Sequence, residues 1–191
     1  MARARLTVVE SPYTVAAAVL AHVKDALVAC ESPPITTEYV AVGEAVWDDC
    51  CGQLVVGVER SFRTVAPFPT EAGPDGLCAG TPIAVEIVVV LVRCAPTLSD
   101  SGKAPSAAKL DASSQSIYRD AAIVWNALAS AELLGDDGFG DTEWERSGLQ
   151  QTFDGEGGCV GIETRVTLGI PSHLWCTNCP PAVVFPPDDE E

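Results

Sequence analysis

Eight cysteines and two histidines are the residues of this chain with the widest chemical reach, and their spacing decides which reactions they can support. Cys50 and Cys51 are adjacent and follow Asp48 and Asp49, while Cys176 and Cys179 form a CxxC near the C-terminus. Four thiolates can close a tetrahedral zinc site, so Cys50, Cys51, Cys176 and Cys179 are the metal alternative for this sequence. The first pair argues against it. Adjacent residues of an extended chain point to opposite sides, whereas structural zinc sites draw on two CxxC-like knuckles. A Cys50 or Cys51 nucleophile would need an imidazole beside a thiolate. His22 falls inside a helical segment, His173 stands at the start of a proline-rich tail, and the two aspartates next door disfavour the thiolate. The sequence is therefore read as holding no catalytic residue, no resident metal and no cofactor.

The remaining candidate motifs fail on similar grounds. The acid pairs Asp136-Asp137, Asp188-Asp189 and Glu190-Glu191 lie in loop or tail, where solvated charge explains them. Residues 135–142 carry three glycines but lack the lysine and following helix of a phosphate-binding loop. With 27 acids against 11 bases the net charge is −16, which opposes binding to nucleic acid or anionic lipid. Arg60, Arg63 and Arg93 are too scattered for a nucleic-acid surface, and are expected to pair with acids of a neighbouring subunit.

No leader is read in residues 1–7, and the longest apolar run, residues 87–92, is far short of the ~20 that a membrane helix needs. In a chain read as made in the cytoplasm, reduced thiols are the default expectation. A particle that later leaves the cell can oxidise some of them.

The elements that position these residues follow from periodicity. Ser11-Pro12 is a helix start, and Val15, Val19, His22/Val23, Ala26/Leu27 and Cys30 recur at three- and four-residue steps to make an amphipathic stripe through about residue 30. Strands are expected at 38–42 and, after a tight turn at Gly52, at 54–60. Residues 66–82 and 96–105 read as polar loops around the strongest strand, 83–94. Leu110, Ser114, Ile117, Ala121, Val124, Leu128 and Ala131 form the seam of a second helix over 106–134, with Tyr118 and Trp125 beside it. A hairpin is expected over 143–153 and 160–170. This order predicts an α+β fold: an antiparallel or mixed sheet with two helices packed on one face, in a single domain over 1–170, followed by an extended, acidic tail containing proline and cysteine over 171–191. A sheet face left exposed would need a partner.

Five segments together resemble a family of virion proteins from tailed phages of actinobacteria: residues 42–60 (VGEAVWDDCCGQLVVGVER), 68–78, 92–97 (VRCAPT), 105–110 (PSAAKL) and 157–170 (GGCVGIETRVTLGI). The family is that of the tail terminator, and the resemblance runs over roughly residues 10–170. It implies a non-enzymatic subunit of a homo-oligomeric, commonly hexameric ring at the neck. Such a ring caps the tail tube and joins it to the head connector. The implied partners are the major tail tube protein and the head-to-tail stopper or connector, with DNA passing through the lumen without specific binding. The implied location is the virion neck, reached from the host cytoplasm during assembly. A stopper or adaptor of the same connector, or a zinc- or thiol-based binding protein, are the alternatives. On this reading Asp48, Asp49, Gln53, Arg60 and Arg93 are the candidates for subunit contact.

Overall fold

The computed structural model describes residues 11–43, 52–73, 83–99, 101–129, 147–155 and 158–170. Helix α1, Pro12–Ala29, starts where Ser11 in extended conformation accepts the Thr14 backbone N–H, with Pro12 in the first turn where its missing N–H costs nothing. Val15, Val19, Val23 and Leu27 recur every fourth residue and are buried, so one stripe of the helix faces the sheet. Glu31 at φ 54° ends it: the Ser32 N–H closes onto the Leu27 carbonyl at 3.0 Å, and Pro33-Pro34 cannot continue a helix.

The strands are β1 (Thr37–Val42), β2 (Gln53–Val65), β3 (Thr70–Glu71), β4 (Ile83–Cys94), β5 (Ser147–Gly155) and β6 (Cys159–Ile170). They form a six-stranded mixed sheet in the order β1-β2-β4-β6-β5, with β3 folding back on β2. Among the described strands only β1 with β2 is parallel. Helices α1 and α2 (Ala107–Ala129) both pack on one face, through Ile83, Val85, Ile87, Val89 and Leu91 of β4 and alternate residues of β2 and β6. The expected α+β architecture is thus the observed one. On the opposite face Val55, Val88, Val90, Val92 and Cys159 make a second, smaller apolar cluster. Strand β4 is buried on both sides, which is why its sequence reads as an almost unbroken β-branched run instead of an alternation.

Three details differ from the sequence reading. The first is the connection to β2. Thr37 pairs with Gln53 and Val42 with Val58, so the chain leaves β1 at one end of the pair and enters β2 at the other, about 17 Å away at ~3.4 Å per residue. Parallel pairing therefore excludes a hairpin connection and requires a crossover, while Gly52, at φ 107°, does bend the chain just before β2, as expected. A Cβ on Gly57 would lie 2.7 Å from the Gly43 carbonyl oxygen and 3.0 Å from Val88 Cγ1. The crossover therefore starts on the helix-free face, over a position that only glycine leaves open.

The second is the extent of β2. It continues past residue 60 through a bulge at Glu59 and turns at Pro67 and Pro69, both preceded by cis peptide bonds, into β3. The first part of the expected loop 66–82 is a hairpin arm, and its Phe68 ring rests against Gly169.

The third is the α2 seam. Ile117, Ala121, Val124 and Leu128 are buried as expected, but Ser114 is exposed and Leu110 is 47% exposed, because the first turns of α2 lie outside the core. Among the described residues no helix is long and apolar enough to cross a membrane.

Candidate interaction surface

The end of the sheet where β4 finishes is organised by one buried ion pair. Arg93 Nε donates to Asp120 Oδ2 at 2.9 Å, and the side chains are 8% and 1% exposed. Arg93 Nη1 donates to the Pro34 carbonyl at 3.1 Å and Nη2 to Ser32 Oγ at 2.9 Å, while the Ser32 hydroxyl donates to Asp120 Oδ1. Four groups from the α1–β1 connection, β4 and α2 are thereby tied together, and among the described residues no buried side-chain nitrogen or oxygen lacks a partner. Three of the five guanidinium N–H groups are used in these contacts; two remain. Arg93 also lines a cleft of about 590 Å³ between the α1–β1 connection and α2, with Pro34, Pro96, Ser113, Ser116 and Ile117 among its walls.

On the helix-free face the far half of the sheet carries charge. Arg60 donates to Glu86 on the neighbouring strand at 2.6 and 2.9 Å and to Glu71 of β3 at 3.4 Å, and its guanidinium lies 4.5 Å from the centre of the Phe62 ring. The hydrogen bond to Glu86, and then its charge, hold the Arg60 guanidinium above its ordinary pKa. Arg165 of β6 spans β4 to meet Glu59, the bulge residue of β2, at 3.0 Å, and also contacts Glu163. Burial works against the Arg165 charge, but the Glu59 hydrogen bond and the nearby carboxylates outweigh it and raise its pKa. These pairs are solvent-exposed and contribute register more than stability.

Two further surfaces lie at the rims. The strand order ends in β1 on one side and β5 on the other. Gln150 of β5 donates to the Ala121 carbonyl at 2.9 Å and to Thr164 of β6, so α2, which packs on β6, is within side-chain reach of the β5 edge. The flank of α2 that points past this edge carries Tyr118, 65% exposed, and Trp125, 42% exposed.

The sequence-based contact candidates divide accordingly. Arg60 is on the surface, engaged with acids of its own chain. Gln53 is fully buried and donates to the Tyr39 hydroxyl, and Arg93 is buried against Asp120, so neither side chain is presented to a neighbour as expected. Within the chain Arg60 and Arg93 both pair with acids, because the β2–β4 register and the α2 seam place Glu86 and Asp120 beside them; Arg93 is thereby buried, whereas Arg60 stays on the surface.

Asp48, Asp49, Cys50, Cys51, Cys176 and Cys179 lie outside the described residues, as does the tail 171–191. Among the described residues no cluster of metal-ligating side chains occurs. Cys30 is an exposed free thiol, but Cys94 and Cys159, which face each other in the β4–β6 register, are both disulfide-bonded. For these two the expectation of reduced thiols is overturned, because folding gathers cysteines remote in sequence at one end of the sheet. His22 serves packing: its Nε2 donates to the Ala127 carbonyl at 3.1 Å, joining α1 to α2.

Asp120 was not singled out by motif. Its signal is a lone acid on the apolar stripe Ile117, Ala121, Val124, a position that calls for a buried cation or hydrogen-bond donors. Set against known proteins, the chain matches no family model and no curated sequence.

Proposed function

We propose that this chain is a structural virion subunit that forms a ring at the head-proximal end of a phage tail tube, where it terminates polymerisation of the tube and joins the tail to the head connector. The resemblance over residues 10–170 supplies the identity of the ring. The observation that carries assembly is the aromatic flank of α2, Tyr118 and Trp125, standing open beside the β5 edge. Aromatic side chains are enriched in subunit contacts and scarce as neighbours on a free surface. The two ends of the strand order, β1 and β5, are different surfaces, which suits a head-to-tail contact that closes by rotation into a ring. The net charge of −16 suits a lumen past which DNA slides without adhering.

Light scattering on the pure chain, alone and with tail tube protein, tests this. The expected species has six times the 20.0 kDa chain mass. Replacing Tyr118 and Trp125 by alanine should abolish that species while the monomer still folds, Tyr118→Ala changing unfolding stability by less than about 0.5 kcal/mol and Trp125→Ala, whose ring is more than half buried, by about 1–2 kcal/mol. A chain that stays monomeric in the presence of both tube and connector proteins defeats the proposal. A density map of the neck distinguishes the terminator position from that of a stopper.

A further inference from the structure

The cleft beside Arg93 has the wrong charge for its surroundings. Arg93 and Asp120 cancel, but Lys109 lies one helical turn before Ser113 on the same side of α2, and Arg119 lies one turn after Ser116. Arg119 reaches across to the Cys30 carbonyl, so it spans the cleft's outer side. Two bases thus border a cleft whose facing connection contributes the single acid Glu31, in a chain with a net charge of −16. The walls are apolar or small, with two serines and the neutralised Arg93 as polar points. Such a site fits an extended peptide with proline and aliphatic residues followed by carboxylates.

One segment of this chain has that composition: residues 183–191, VVFPPDDEE. The cleft lies at the Cys94–Cys159 end of the β4–β6 ladder, whereas the chain leaves β6 at Ile170, opposite Ile83. Those ends are eleven residue steps apart, about 37 Å at ~3.4 Å per residue. From Ile170 to Phe185 is fifteen residue steps, about 50 Å fully extended and about 46 Å in a polyproline conformation. Along the strands that leaves only about 10 Å in excess, and α2, packed on β6, lies on the face that the tail would have to cross to reach its own cleft. A neighbouring copy's cleft imposes no such demand.

We propose that the C-terminal segment 183–191 of one copy docks in the cleft of the next, with Phe185-Pro186-Pro187 against Pro34, Pro96 and Ile117 and the terminal carboxylates between Lys109 and Arg119. This rests on the ring reading above and adds to it a strap between subunits. It also gives the acidic tail a role that the resemblance leaves unassigned.

The chain has only three lysines, Lys24, Lys103 and Lys109, so zero-length carbodiimide coupling of carboxylates to amines reads the contact cleanly. Light and nitrogen-15-labelled full-length chains are mixed under assembly conditions, coupled and mapped by mass spectrometry, with oligomeric mass measured on the same sample. The expected product joins Asp188, Asp189, Glu190 or Glu191 to Lys109 in peptide pairs of mixed isotope. Its yield should fall at least about fivefold in Arg119→Glu, which keeps the Lys109 amine, and should also fall with added salt. An oligomer whose tail acids couple equally to all three lysines, or only within one isotope, overturns the strap and leaves the ring standing. A chain that stays monomeric with tube and connector proteins present overturns the ring, and the strap with it.

Discussion

Removing the charge of Asp120 should be the most destabilising single change of a polar side chain in the described structure. Asn at 120 keeps the volume but leaves the Arg93 guanidinium, 8% exposed at its side chain, without a counter-charge. Breaking one partner of a buried pair costs about 3–5 kcal/mol, because the remaining charge stays desolvated. In a domain of this size each kcal/mol lowers Tm by roughly 2–4 °C, so Asp120→Asn should melt roughly 6–20 °C below the parent. Arg93→Met alone should fall in the same range, since Asp120 then keeps only the Ser32 hydroxyl. The double replacement Arg93→Met with Asp120→Leu should recover most of the loss, because exchanging a buried pair for packed apolar groups is often neutral or stabilising. Urea unfolding, with disulfides intact, of the parent, Arg93→Met, Asp120→Leu and the double variant closes the cycle and gives the coupling energy directly. If Asp120→Asn costs less than about 1 kcal/mol, or if the two single losses simply add in the double variant, the network is not dry and the reasoning is wrong.

Other outcomes follow from single contacts. Gly57→Ala drives a methyl group into the Gly43 carbonyl and Val88, so it should cost about 1–3 kcal/mol and loosen β1, seen as faster amide exchange at residues 38–42. Gly158 has φ 85° and a Cβ there would lie 2.2 Å from Thr97 Cγ2, so Gly158→Ala should destabilise by more than about 1 kcal/mol in chemical unfolding. Adding Thr97→Ala should restore only the part due to the clash. With native protein, iodoacetamide should label Cys30 directly and Cys94 and Cys159 only after reduction, as peptide mapping would show.

What the sequence reveals of this fold is what depends on neighbours along the chain. The Ser11-Pro12 start, the four-residue stripe of α1 and the apolar run of β4 are all local, and each is found where periodicity places it. Pairing is not local. Strand periodicity says that β1 and β2 are extended but cannot say that they run parallel, and parallel pairing excludes a hairpin turn as their connection. The extent of the core is likewise tertiary: Leu110 continues the α2 seam in sequence but lies where the sheet no longer covers it.

The site shows the same division with a sharper consequence. Arg60 and Arg93 are chemically equivalent in the sequence, two arginines of neighbouring strands, and the expectation treats them alike as contacts to another subunit. Register separates them: Arg60 faces solvent across from Glu86, while Arg93 faces the helices and finds Asp120. Whichever subunit contact this chain makes, a buried and neutralised Arg93 contributes shape at the base of a cleft, and the long-range attraction falls to the unburied bases at its rim. Charge steering toward that cleft should therefore follow Lys109 and Arg119, even though Arg93 is the residue on which the cleft is built.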